Sequence, residues 1–167
     1  MRELCPWYAL SVKHQHERAV RSALEFNGFE ALAPTYRARR RWSDRVKEVD
    51  LPLFTGYVFC RFEFAERVRV MDAPGVARVV EFGGAPAEIS ETEIAAIRAV
   101  MDSKLPVCPW PYLKLGDRVR VEHGPLRGIE GTLLRQVVRE RWQLVIGVEM
   151  LQRSLAVELE PEMVVAV

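Results

Sequence analysis

The sequence predicts an α+β sandwich, an antiparallel sheet carrying helices, joined by a proline-rich linker to a small β-barrel. Three observations carry that expectation. Residues 1–103 read as strand, helix, strands, short helix, strand, helix; Pro106, Pro109 and Pro111 then fall within six residues; and beyond residue 114 helical periodicity gives way to five short strand candidates. The expected domains are 1–103, a stiff linker over 104–114, and a barrel over 115–167.

Trp7 to Val12 forms the first expected strand. From about His14, Val20, Ala23 and Leu24 recur at helical spacing, Glu17 and Arg21 stand i,i+4 on the polar side, and Asn27-Gly28 closes the helix. Glu30 to Trp42 reads as extended, with Arg37, Arg39 and Arg41 on one face, the pattern of an edge ribbon; Ser43-Asp44-Arg45 supplies a turn and Val46 to Leu51 runs back. Pro52 then delivers the chain to Leu53–Phe62, the densest aromatic and β-branched run. Past Gly56 this run alternates, Tyr57 and Phe59 on one face, Val58, Cys60 and Phe62 on the other. Both faces are apolar, so each needs a cover: helices on one, a partner or further core on the other.

Ala65 to Met71 has room for two helical turns before Pro74-Gly75 breaks it, and Val76 to Phe82 reads as another strand ended by Gly83-Gly84. Ser90-Glu91-Thr92-Glu93 fits a capping box, and Ile94, Ile97 and Met101 follow at core-facing intervals, which predicts a helix over Glu91 to Asp102. The five barrel strands are expected at Arg118–Glu122, Thr132–Val138, Trp142–Val148, Leu155–Leu159 and Met163–Val167.

Composition fixes the class. Among 167 residues, 49% are apolar and 28% charged, with a net charge of +1, which is an ordinary globular balance rather than a disordered one. The charge is uneven, because residues 13–47 hold nine Lys/Arg against four Asp/Glu. Cys5, Cys60 and Cys108 are far apart and match no zinc spacing, so free thiols in a reduced cytoplasm are expected, with no metal and no cofactor. No apolar run reaches the length of a membrane span. His14 and His16, at i,i+2, do not face one ligand on a helix, and no nucleophile stands beside a base; the expectation is a binding protein, not an enzyme.

Taken together and in order, several of these segments resemble the NusG-type transcription elongation factors, which pair an N-terminal NGN domain with a C-terminal, SH3-like KOW barrel. The marks are Trp7-Tyr8, Leu53-Phe54-Thr55-Gly56-Tyr57-Val58-Phe59, Pro74-Gly75-Val76, and Gly116–Val121 leading to Gly124-Pro125-Leu126-Arg127-Gly128-Ile129-Glu130-Gly131. The segment Glu149–Glu158 is more similar to specialised RfaH-like and UpxY-like paralogues, with Leu151-Gln152 where housekeeping members carry Phe-Gly.

The resemblance implies a monomeric bacterial factor that docks on the clamp helices of the largest RNA polymerase subunit, suppresses pausing and termination, and acts as an operon-specific antiterminator. Matched by position, the docking surface would comprise Ser11, Phe54, Tyr57, Phe59 and Phe82, Ser11 replacing an aromatic and Thr55 replacing a proline. Read without the family, Phe54, Phe59 and Phe82 fit a core at least as well. Contacts to the non-template DNA strand would fall on Lys13, His14, Arg18 and Arg21, with Arg37, Arg39 and Arg41 either adding phosphate contacts or forming a solvated face. The barrel would recruit a ribosomal protein or Rho, as an independent domain without a fold switch. The alternative is an RNA- or ribosome-associated KOW protein.

Overall fold

A computed structural model describes residues 5–41, 43–111, 117–136, 141–148, 153–159 and 164–166. They group into two compact units, 1–91 and 92–167.

In the first unit, β1 (Trp7–Val12) leads through a short loop to α1 (Glu17–Phe26), and β2 (Glu30–Leu32) is followed by β3 (Thr35–Arg41) and β4 (Val46–Pro52). β5 (Tyr57–Arg61) is the run expected to be central, and it lies between β2 and β1. A 3-10 turn (Phe64–Glu66) precedes α2 (Arg67–Met71), then β6 (Val76–Val79), β7 (Glu81–Phe82), β8 (Ala85–Pro86) and β9 (Glu88–Ile89). The main sheet runs β2-β5-β1-β6, with β9 also pairing β1, and the described pairings are antiparallel. The extended stretch from Glu30 divides at Ala33-Pro34, since proline lacks the ladder donor, and β3 with β4 becomes a separate two-stranded ribbon. The strand expected over Val76 to Phe82 divides as well, its end folding into the β7–β8 hairpin.

One face of this sheet carries the core. Tyr8, Leu10 and Val12 of β1 meet Val58 and Cys60 of β5, Val20 and Leu24 of α1, and Val70 of α2. Phe62 joins them, its ring 4.8 Å from that of Tyr8 and 6.5 Å from that of Phe29. Each such fully buried aliphatic or aromatic side chain contributes about 1.5–3 kcal/mol. The opposite face is set by the register Trp7↔Arg61, Ala9↔Phe59 and Ser11↔Tyr57. It is buried at Trp7, Ala9 and Phe59 and opens at Ser11 and Tyr57.

The second unit begins with α3 (Glu91–Ser103), whose first residue falls at the unit boundary and which buries Ile94, Ile97 and Val100. It continues with β10 (Val107–Pro111), β11 (Asp117–Val121), β12 (Glu130–Gln136), β13 (Arg141–Val148), β14 (Arg153–Leu159) and β15 (Val164–Ala166). These pair antiparallel in the order β10-β14-β13-β12-β11-β15. The proline segment read as linker thus contains a strand. Pro109 and Pro111 are tolerated there because β10 ends the sheet, where one row of backbone donors has no neighbour to serve. Among the described residues of this unit's sheet, Val119, Val121, Leu155, Ala156 and Val157 are buried, as is Leu126 in the turn between β11 and β12.

Candidate partner-binding surface

The open end of the second sheet face is built by one turn. Leu53 N–H donates to the Pro34 carbonyl at 2.9 Å, and Tyr57 N–H donates to the Phe54 carbonyl at 3.1 Å, which closes a four-residue turn over Phe54-Thr55-Gly56-Tyr57. Gly56 has φ +83°, the value a type II turn requires at its third position and the reason glycine stands there. The Gly56 carbonyl accepts Val12 N–H at 2.9 Å, and its own N–H donates to Glu17 Oε1 at 2.8 Å. Glu17 is only 5% exposed. The expected Glu17–Arg21 pair is therefore not formed: Arg21 pairs with Glu25 at 3.1 Å, one turn further along, because Glu17 faces the sheet rather than solvent.

The five residues expected to form one exposed docking surface separate into three environments. Phe54 and Phe59 pack edge to face, centroids 5.2 Å apart, and both are buried, so here the reading of these residues as core holds. Ser11 and Tyr57 are half-buried partners across β1 and β5. Phe82 is 74% exposed at the tip of the β7–β8 hairpin. Thr55 and Arg78 also bear on this surface: Thr55 is exposed in the turn, and Arg78, exposed on β6, stands opposite Ser11. Neither Arg78 nor Glu17 carried a sequence signal for this position, since the pairing that places Glu17 spans 39 residues.

The cationic residues also divide. Lys13, His14 and Arg18 are exposed, and among the described residues Lys13 and Arg18 make no ion pair. Arg37 lies 3.5 Å from Glu48 and 3.8 Å from Asp50, and Arg39 lies 3.7 Å from Glu48, because the β3–β4 register sets arginines against acids: Arg37↔Asp50, Arg39↔Glu48. Arg41 closes β3 opposite Val46; the expectation for its side chain lies outside the described residues.

Elsewhere a cleft of about 540 Å³ is lined by Cys5, Phe29, Arg61 and Arg69 among others. Its charges are compensated: Arg61 stacks 4.9 Å from the Trp7 ring centroid and pairs with Glu30 and Glu91, while Arg69 pairs with Glu66 at 2.8 Å. Burial, with Glu30 adding, pushes the Cys60 thiol up to about 12, which keeps it protonated and inert. Among the described residues no group of three or more His, Cys, Asp or Glu is placed to hold a metal, and no helix is long and apolar enough to cross a membrane.

Residues 6–98 match the NusG family, described as transcription termination factor nusG. The chain is 24% identical over 174 aligned positions to the transcription termination/antitermination protein NusG of Helicobacter pylori strain 26695, covering 92% of this chain and 93% of that protein. The protein of the same description from strain J99 matches to the same extent, 24% over 174 positions. A solved structure described as domain interaction in Thermotoga maritima NusG superposes with a TM-score of 0.54 at 22% identity over 95% of both chains, a likeness of fold.

Proposed function

This chain belongs to the NusG family of transcription termination and antitermination factors, and from that membership we propose that it docks on RNA polymerase through its N-terminal part and modulates elongation. The observation that carries the reading is the exposed aromatic Phe82 on its hairpin, with the half-buried Ser11–Tyr57 edge, in the part the family matches. The partner is the clamp helices of the largest polymerase subunit. Phe54 and Phe59 support this surface from beneath rather than touching the partner. Binding at the clamp holds it closed and suppresses pausing and termination, without turnover and without a cofactor.

The functional domains are 1–103, 104–114 and 115–167. The reach of the family match to residue 98 supports assigning α3 to the docking domain. The C-terminal antiparallel strands form the KOW barrel, which recruits a ribosomal protein or Rho. The protein acts as a cytoplasmic monomer. Leu151-Gln152, in place of Phe-Gly, supports a specialised, operon-specific antiterminator. Contacts to the non-template strand come first from Lys13 and Arg18, whose charge is not spent on the protein's own carboxylates, with exposed His14 beside them; Arg21, Arg37 and Arg39 would have to exchange Glu25, Glu48 or Asp50 for phosphate.

The test is binding of the full chain to core RNA polymerase beside a Phe82→Asp variant. Loss of an exposed aromatic anchor lowers affinity about 30-fold with the fold intact. No binding by the unaltered chain at micromolar concentration and low salt overturns the polymerase reading and favours the ribosome-associated one, which cross-linking to ribosomal RNA then reads directly.

A further inference from the structure

We propose that Glu17 is a positioning residue for partner docking: by holding the Gly56 amide it fixes the Phe54–Tyr57 turn and with it the Ser11–Tyr57 edge. The proposal rests on the polymerase reading above and deepens it.

A buried carboxyl group is expensive to keep unless it is hydrogen-bonded, so the donor it holds is informative. Glu17 faces the sheet from the first turn of α1, where the neighbouring inward positions Val20 and Leu24 are apolar. An apolar residue at 17 would satisfy packing. Its side-chain oxygen instead places an acceptor 2.8 Å from Gly56 N–H, a partner that an apolar side chain could not give that donor. The Gly56 carbonyl is held by Val12 N–H at 2.9 Å, so both backbone polar groups of this residue are tied down, one to β1 and one to α1.

The turn needs such a restraint. Thr55 occupies its second position, where proline presets φ in turns of this type and threonine does not. Glu17 supplies from the helix the rigidity that the turn's own sequence lacks. What it rigidifies is the surface: Thr55 is exposed, and Tyr57, the next residue after Gly56, is the partner of Ser11 and half open. An edge ordered before encounter loses less entropy on docking.

The experiment compares the full chain with Glu17→Ala, Glu17→Gln and the double change Glu17→Ala with Thr55→Pro. Each is measured for affinity to core RNA polymerase, for circular dichroism, and for hydrogen exchange at the Gly56 amide. Glu17→Ala should bind about tenfold more weakly and exchange Gly56 faster. Glu17→Gln keeps an acceptor at the same atom and should stay within about threefold of the original. Thr55→Pro should restore docking in the Glu17→Ala background without restoring the hydrogen bond, which no loss of general stability predicts. Binding by a folded Glu17→Ala variant at the original affinity overturns the role of Glu17 and leaves the polymerase reading standing. So does a Glu17→Gln variant as weak as Glu17→Ala, or a double variant that is not rescued. Failure of the unaltered chain to bind removes both.

Discussion

A Cβ on Gly75 would lie 2.8 Å from Cγ2 of Val20 and 3.2 Å from Cβ of His16. The Gly75 backbone, at φ +99°, is pressed against the start of α1, and its carbonyl accepts Lys13 N–H at 2.9 Å. The Pro74-Gly75 break is therefore the seat on which the first helix rests. Gly75→Ala adds left-handed strain of about 1–2 kcal/mol and overpacking of about 1–3 kcal/mol. A fall of about 2–5 kcal/mol in unfolding free energy by urea titration is expected. A loss under about 0.5 kcal/mol would mean that Val20 moves aside freely.

The family resemblance puts Phe59 and Phe82 on one surface, and the structure gives them different environments. Phe59 is fully buried and meets Phe54, whereas Phe82 is mostly exposed. Phe59→Ala should cost about 3–5 kcal/mol of stability, and Phe82→Ala should stay within about 0.5 kcal/mol. Chemical denaturation of the two variants side by side checks this, and equal losses would contradict the assignment.

Periodicity and turn chemistry made most of the elements legible. The alternation past Gly56 marks β5, the spacing of Val20 and Leu24 marks α1, and Ser90 with Glu93 marks the start of α3. What was hidden depends on pairing between distant residues. β10 looks like a linker because three prolines within six residues read locally as a break, and only its place at the edge of the sheet lets Pro109 and Pro111 stand in a strand. Glu17 looks solvent-facing because its partner is 39 residues away. The arginines of β3 look like a bare cationic face because Glu48 and Asp50 come into register only when β4 returns. On the candidate surface, aromatic identity was readable but exposure was not: strand alternation tells which residues share a face, not which end of that face is covered.

Charge that is already paired cannot be offered to phosphate without loss, which ranks the cationic residues. Arg18→Ala should lower the slope of log affinity against log salt for single-stranded DNA by about 0.7. Arg37→Ala should change it less, since that guanidinium already stands near Glu48 and Asp50. Glu48→Gln, which releases part of the charge of Arg37 and Arg39, should raise affinity at low salt and steepen the slope. Fluorescence anisotropy of a labelled strand across salt concentrations reads all three. An Arg37→Ala effect larger than that of Arg18→Ala would move the proposed nucleic-acid contact from α1 to the ribbon.

Cys60 lies in the core between Tyr8 and Val58, and its burial sets the sign of a pH effect. The thiol moves from an ordinary 9.0 up to about 12 in the folded chain, burial acting first and the Glu30 charge second. Below pH 9 both states keep the proton and stability is complete. Above it the unfolded chain releases a proton that the folded chain retains, so stability falls as pH rises toward 12, by up to about 1.4 kcal/mol per pH unit. Other groups titrate in the same window, so the readout is a difference. Cys60→Val, of similar volume and without a proton to lose, should show a shallower alkaline decline than the original chain. In the native protein at pH 8, iodoacetamide should label the half-buried Cys5 while Cys60 reacts only as the domain unfolds, read site by site by mass spectrometry. Native labelling of Cys60 at the rate of Cys5 would mean that the β1–β5 core opens locally, and the alkaline slope would then shrink with it, since a thiol that meets water has no reason to hold its proton.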